Sequence, residues 1–174
     1  MHTLILPLRV DIVPIHYKRV VCAFGCIDDN FFEVFEKLVR YLKRTRASQM
    51  LDRITIPGGA MPFSSPSKPY HWETALDFLD VSLTAHEAIE LVLTTHAECA
   101  AYGARAKVGG TRASEFEFHV AEHHLMEGKV ASVRPELAGH IKHYYISTGG
   151  VIEIDVSKTT SLDEAEAVAL RLAA

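Results

Sequence analysis

With 174 residues, 48% of them hydrophobic and 23% charged, the chain is long enough for one domain with a substantial core. A net charge of -4 and a pI near 6.2 argue against nucleic acid and anionic membrane surfaces as partners. No apolar run approaches the ~20 residues of a membrane span, and three cysteines, an odd number, argue for reduced thiols rather than a disulfide framework. The N-terminus carries neither a basic start nor a small-residue cleavage site, so a cytoplasmic location is expected.

Residues 4–13 are apolar but broken by Pro7 and followed by Pro14, which suits an extended arm or an edge strand. Residues 1–17 therefore read as an N-terminal arm, and 18–174 as the folded domain. The β-branched stretch 18–24 predicts a central strand, which Gly25 is expected to end. Asp28, Asp29 and Asn30 are N-cap candidates for a helix whose apolar face repeats at Phe31, Val34, Phe35, Leu38, Val39 and Leu42. Its far end, Lys43-Arg44-Thr45-Arg46, puts cations where the helix dipole favours them. Residues 51–56 predict a second strand, closed by Pro57-Gly58-Gly59. The loop after it contains Pro62, Pro66 and Pro69, and two glycines there allow close backbone approach. A helix is predicted over 70–83, a third strand over 88–95, a short helix over 97–106 and another over 114–126. Residues 141–147 and 151–156 predict paired strands around Gly149-Gly150. Ser161-Leu162-Asp163-Glu164 opens a last helix with a capping-box pattern. Strands alternating with helices imply a single α/β domain with a mostly parallel central sheet flanked by helices.

In such sheets ligands collect at the carboxyl ends of the strands. Cys26 follows the first strand, His96 ends the third, and Cys99 lies three residues on, expected in the first turn of a helix. Two thiolates and an imidazole suit zinc, and three protein ligands leave a fourth position open, as catalytic sites do. Asp28 is placed to be the fourth ligand or a proton acceptor. The plainer alternative is that cysteines fill core space and a strand-end histidine is hydrogen-bonded and structural. Cys22, in mid-strand, reads as buried and inert. His119, His123 and His124 share a predicted helix; without a clear third ligand they read as a solvated face.

Several of these stretches carry a resemblance. Cys26-Ile27-Asp28-Asp29-Asn30 resembles the Cys-x-Asp-x-Arg motif of β-class carbonic anhydrases, and His96-Ala97-Glu98-Cys99 is similar to their His-x-x-Cys motif. Ile56-Pro57-Gly58-Gly59-Ala60 falls where that family has a strand ending in Arg-Asn-Ala-Gly. Ala75-Leu76-Asp77-Phe78-Leu79 falls where it has the helix leading into the His-bearing strand. Tyr145-Ile146-Ser147-Thr148-Gly149-Gly150-Val151 resembles its late Tyr-Asp-x-x-Thr-Gly strand pair. The likeness runs in order over residues 18–156.

The resemblance implies a β-carbonic-anhydrase-like fold and a zinc ion held by Cys26, His96 and Cys99. It further implies a lyase (carbonate dehydratase) that hydrates carbon dioxide, or a related heterocumulene such as carbon disulfide, by zinc-bound hydroxide. It also implies a homodimer or higher homo-oligomer. Three departures bear on it. Asn30 replaces the motif arginine, Ala100 replaces the glycine after the second cysteine, and the Arg-Asn of the loop is absent. In the family the arginine pairs with the motif aspartate and holds it off the metal. A neutral Asn30 cannot form that ion pair, so Asp28 is expected nearer the zinc, unless Arg53 or Arg112 restores the clamp. Two readings follow. In one, Asp28 takes part in proton handling at an active site. In the other, Asp28 closes the site of a non-catalytic zinc-binding protein.

Overall fold

Val21-Cys22-Ala23-Phe24 and Leu91-Val92-Leu93 carry no polar side chain on either face, the mark of strands covered on both sides. A computed structural model, which describes residues 21–45, 51–103, 105–108 and 110–158, places them side by side at the centre of one sheet. Its strands are β1 (Val21–Cys26), β2 (Asp52–Ile56), β3 (Glu90–His96), β4 (Ile141–Ser147) and β5 (Gly150–Ile154), in the spatial order β2-β1-β3-β4-β5. The first four run parallel and β5 returns antiparallel to β4. Helices α1 (Asp29–Thr45), α2 (Pro69–Ala85) and α3 (Arg112–Val133) make the crossovers. The order reverses between β1 and β3, and the carboxyl ends of the strands at such a reversal are where α/β sheets bind ligands.

Alternation along each strand sorts the core into two layers. Val21, Ala23, Val92, Tyr144 and Ile146 face α1 and pack on Phe35, Leu38, Val39 and Leu42. Cys22, Phe24, Leu91 and Leu93 face the other way, against Ala75 and Leu79 of α2 and Met126 and Val130 of α3. The α/β class, the mostly parallel sheet and the flanking helices are as the sequence led us to expect. No helix among the described residues is long and apolar enough to cross a membrane.

Four expectations need correction. Gly25 does not end β1; the strand runs on to Cys26, which pairs with Ile56. Gly25 is glycine because a Cβ there would lie 2.6 Å from the Phe35 ring of α1. The described residues of 97–106 form no α-helix. Glu98 turns the chain with φ of 55°, and among the described residues two 3-10 turns follow, Ala100–Tyr102 and Arg105–Val108. The first stops at Gly103, whose left-handed φ of 85° ends a helical turn. The helix expected over 114–126 is longer, opening on a Thr111–Ser114 capping box and stopping just before Pro135. The fourth, the histidine face of α3, is taken up below. The N-terminal arm over 1–17, residues 18–20 of the first strand, Arg46 and the last helix from Ser161 lie outside the described residues.

Candidate metal centre

Cys26 is the last residue of β1 and His96 the last of β3, so neighbouring parallel strands deliver both to one edge of the sheet. Cys99 comes to them by the Glu98 turn. It sits in extended backbone just before the turn Ala100–Tyr102, not in the first turn of an α-helix. Cys26 Sγ, Cys99 Sγ and a ring nitrogen of His96 all lie within 4.8 Å of one another, and His96 and Cys99 are buried.

The histidine is oriented for ligation. Its Nδ1–H donates to the Ala97 carbonyl at 2.8 Å, which leaves Nε2 as the lone-pair nitrogen. Nε2 is buried and has no hydrogen-bond partner, although buried polar atoms are almost always satisfied. Phe31 of α1 stacks on the imidazole with centroids 4.3 Å apart. An orphaned nitrogen facing two sulfurs is what a missing cation would complete, so these residues fit a zinc ion.

The thiols behave as a pair. The Cys99 thiol beside it brings Cys26 down to about 4 against the resistance of burial, with His96 and the Asp28 backbone N–H assisting. Cys99 is pushed up by Cys26 and by burial. Burial alone would lower His96, but Cys26, the Ala97 carbonyl and Asp28 together raise it. Cys22, by contrast, is driven up to about 12 by burial, as befits an inert core thiol.

Loops from two crossovers hold this geometry. Gly58 N–H donates to Cys26 Sγ at 3.3 Å. Gly59, at φ of 60°, lies so close to β3 that a Cβ would stand 2.6 Å from the Thr94 carbonyl, which Ala60 N–H binds at 3.1 Å. Thr94 Oγ1 in turn donates to the Phe24 carbonyl at 2.7 Å, tying β3 to β1 below the ligands. On the far side the buried Glu115 of α3 accepts from Glu98 N–H at 2.6 Å and from Arg105 Nε at 3.1 Å. Arg105 also pairs with Glu98 at 2.8 Å.

Asp28 is not among the three donors that lie within 4.8 Å of one another. Its Oδ1 accepts both the backbone N–H and the side-chain amide of Asn30, each at 3.0 Å. Asn30 therefore holds Asp28 through two uncharged donors, where an ion pair was expected to be needed. Arg53 does not take that place; it is bound to Glu36 at 2.7 Å. Arg112 is exposed at the start of α3.

The solvated histidine face is overturned. His119 is 1% and His123 0% exposed, and of the three only His124 faces solvent. Phe116, His119, His123, Met126 and Val130 recur at spacings of three and four along the buried side of α3. Apolar residues bracketing the histidines at helical spacing were the signal that placed them inward. The Glu115 anchor, the Gly59–Thr94 contact and the Phe31 stack had no comparable mark, being long-range contacts.

No family model matches the chain. It is 22% identical over 152 residues to an uncharacterized protein of Rickettsia conorii, covering 84% of this chain and 79% of that one. Among solved structures it is similar to a tetrameric β-carbonic anhydrase of the filamentous ascomycete Sordaria macrospora. There the TM-score is 0.40 and the identity 12%, over 79% of this chain and 81% of the other. It is similar also to the β-carbonic anhydrase CafA of Aspergillus fumigatus, with a TM-score of 0.41 and 12% identity over 90% and 83% of the two chains.

Proposed function

We propose that the chain is a zinc-dependent lyase that hydrates carbon dioxide, or a closely related small heterocumulene, to its acid anion. The observation that carries this reading is the convergence of Cys26 and His96 from neighbouring strand tips with Cys99 from the turn after β3, His96 Nε2 being unpartnered and no fourth donor joining the group among the described residues. The two motifs that supply these residues resemble those of β-class carbonic anhydrases, in the same order along the chain.

Cys26, His96 and Cys99 would hold the zinc, which when bound lowers the pKa of water towards ~7 and so provides a nucleophile at neutral pH. The Ala97 carbonyl keeps His96 in the ligating tautomer, and Gly58 N–H steadies the charge on Cys26. Phe31 covers the imidazole and offers an apolar wall to a linear, nonpolar substrate. Asp28, with Oδ1 occupied by Asn30, keeps Oδ2 for a proton or a hydroxyl at the site. We further propose that the chain is cytoplasmic and self-associates as a homodimer or larger homo-oligomer.

The test is carbon dioxide hydration by stopped flow on protein shown by metal analysis to hold about one zinc per chain. A rate well above that of free zinc, lost in Asp28→Asn with zinc retained, supports the reading. Bound zinc with no such rate refutes it in favour of a non-catalytic zinc protein.

A further inference from the structure

β2 is an edge strand: β1 lies on one side of it, and no strand lies beyond it among the described residues. A groove of about 410 Å³ lies between β2 and α2 at this edge. Leu51 and Ile54 line it from one side and Phe78 and Val81 from the other, with Phe78 43% and Val81 55% exposed. Native sheets seldom leave an edge bare beside apolar side chains. We propose that the stretch Leu8-Arg9-Val10-Asp11-Ile12-Val13 of the same chain adds to β2 as an antiparallel edge strand and fills this groove.

The stretch has the pattern of a strand with one covered face. Leu8, Val10 and Ile12 alternate with Arg9 and Asp11. Pro7 and Pro14 bracket it, and within sheets proline is confined to edge strands and strand ends. β2 alternates in the same way. Asp52, Ile54 and Ile56 are half-buried, and Ile54 and Ile56 pack in the core layer that holds Ala75 and Leu79 of α2. Arg53 and Thr55 are exposed, and Arg53 reaches Glu36 of α1. Directly opposed residues of an antiparallel pair share a face. Leu8, Val10 and Ile12 therefore turn to the α2 side with Ile54, and Arg9 and Asp11 to the α1 side with Arg53.

Charge then selects the register. With Val10 opposite Ile54, Asp11 falls opposite Arg53 and Arg9 opposite Thr55. Sliding the stretch by two residues one way sets Arg9 against Arg53, and like charges so placed are destabilising. Sliding it the other way sets Val13 there and forfeits the ion pair. Arg53 is bound to Glu36 at 2.7 Å, yet its side chain is 47% exposed, and a guanidinium has donors for a second carboxylate. Ile12 falls opposite Asp52. That carboxylate is already held by Ser82 Oγ at 2.5 Å and His86 Nδ1 at 2.8 Å, so an apolar neighbour strands no polar group. The chain can make the return. Cys22 is the partner of Asp52 on the inner side, two strand spacings or about 9.6 Å from Ile12, whereas residues 13–21 can span about 30 Å.

The pairing lies toward the start of β1 and does not involve Cys26 at its end, so its test is independent of the hydration reaction. Opposed residues of an antiparallel pair have Cα atoms about 4.5–5.5 Å apart, within disulfide range. Arg9→Cys with Thr55→Cys in the full chain, under mild oxidation, should give an intrachain disulfide, seen as a monomeric band in a non-reducing gel and located by peptide mass mapping. Val10→Cys with Thr55→Cys, whose side chains point to opposite faces, should give none. No link, or equal links in both variants, overturns the pairing; a link between two copies gives the groove to the stretch of a second molecule and overturns the assignment to the same chain. Hydrogen exchange on the unaltered protein is the second measurement. Amides of residues 52–56 should be as protected as those of β1, and Asp11→Lys should speed the β2 amides about threefold or more without touching β1. Alternate β2 amides exchanging within seconds, as on an open edge, overturn the pairing, and no change in Asp11→Lys overturns the register.

Discussion

Lowering the pH from 7.5 to 5.5 should destabilise the protein through His119, by an amount that can be worked out. Burial, with His96 adding to it, holds this imidazole at about 3 against an ordinary 6.5. Because the folded value is the lower one, the unfolded chain takes up the proton first as pH falls. The contribution is fully present above the unfolded value and is lost as pH drops from about 6.5 towards 3. At pH 5.5 the unfolded imidazole is almost wholly charged and the folded one is not, which costs about 1.4 kcal/mol; at pH 4.5 the cost is about 2.7 kcal/mol. His123 and His143 are lowered as well and act in the same direction. His119→Gln removes the His119 share alone. Urea unfolding of both proteins at the two pH values, with bound zinc verified in each, gives the comparison as a difference of differences, so acid-driven metal loss cancels. The pH-dependent loss should be smaller in the variant by about 1.4 kcal/mol at pH 5.5. Equal losses in the two proteins would refute the account of His119 as a neutral, buried group.

Gly59→Ala should cost about 2–4 kcal/mol in urea unfolding, from its left-handed φ and the 2.6 Å approach to the Thr94 carbonyl. Gly110→Ala, also at positive φ but with open space around it, should cost only about 1–2 kcal/mol, so equal losses would discount the contact. Glu115→Ala strands the Glu98 N–H and leaves Arg105 paired with Glu98 alone. It should lose about 3 kcal/mol of stability and about tenfold or more in zinc affinity, read by competition with a chromophoric chelator. Cys99→Ser should abolish stoichiometric zinc binding while Cys22→Ser leaves it intact; equal zinc contents would displace Cys99 from the centre.

The parts of this molecule that could be read from its sequence are those governed by local periodicity. The unbroken apolar runs at Val21-Cys22-Ala23-Phe24 and Leu91-Val92-Leu93 identify strands covered on both faces, and the spacing of Phe35, Leu38, Val39 and Leu42 gives the buried side of α1. Strand tips that carry Cys26 and His96 then meet because parallel strands point the same way. What escaped was set by tertiary contact. Gly25 looks like a strand breaker until the Phe35 ring that needs its space is in view. The turn at Glu98 wins over the helical propensity of Ala97, Ala100 and Ala101 because a buried carboxylate 17 residues away captures its N–H. His119 and His123 were misplaced for a different reason: polarity was weighed above spacing, although Phe116, Met126 and Val130 lie on their side of α3.

Asn30 stands where the motif that this stretch resembles carries an arginine, and its effect on Asp28 is one of local hydrogen bonding. An arginine would hold Asp28 through charge, and its loss led us to expect a carboxylate free to swing onto the metal. Asn30 instead binds Asp28 Oδ1 twice, through backbone and side chain, at 3.0 Å each. Both donors are uncharged, so the carboxylate is held in place without the charge pair that an arginine would add. Asp28 also begins α1, its carbonyl accepting from Phe31 and Phe32, which fixes its backbone whatever its side chain does. The clamp is thus local, built within three residues of one helix start, where the arginine version spans a charge pair. Asn30→Ala should leave α1 in place and free Asp28 to approach the ligand group. Cobalt in place of zinc would report that as a change in the coordination spectrum. A spectrum identical to that of the unaltered protein would mean that Asn30 restrains nothing, and that Asp28 stays off the ion for want of reach.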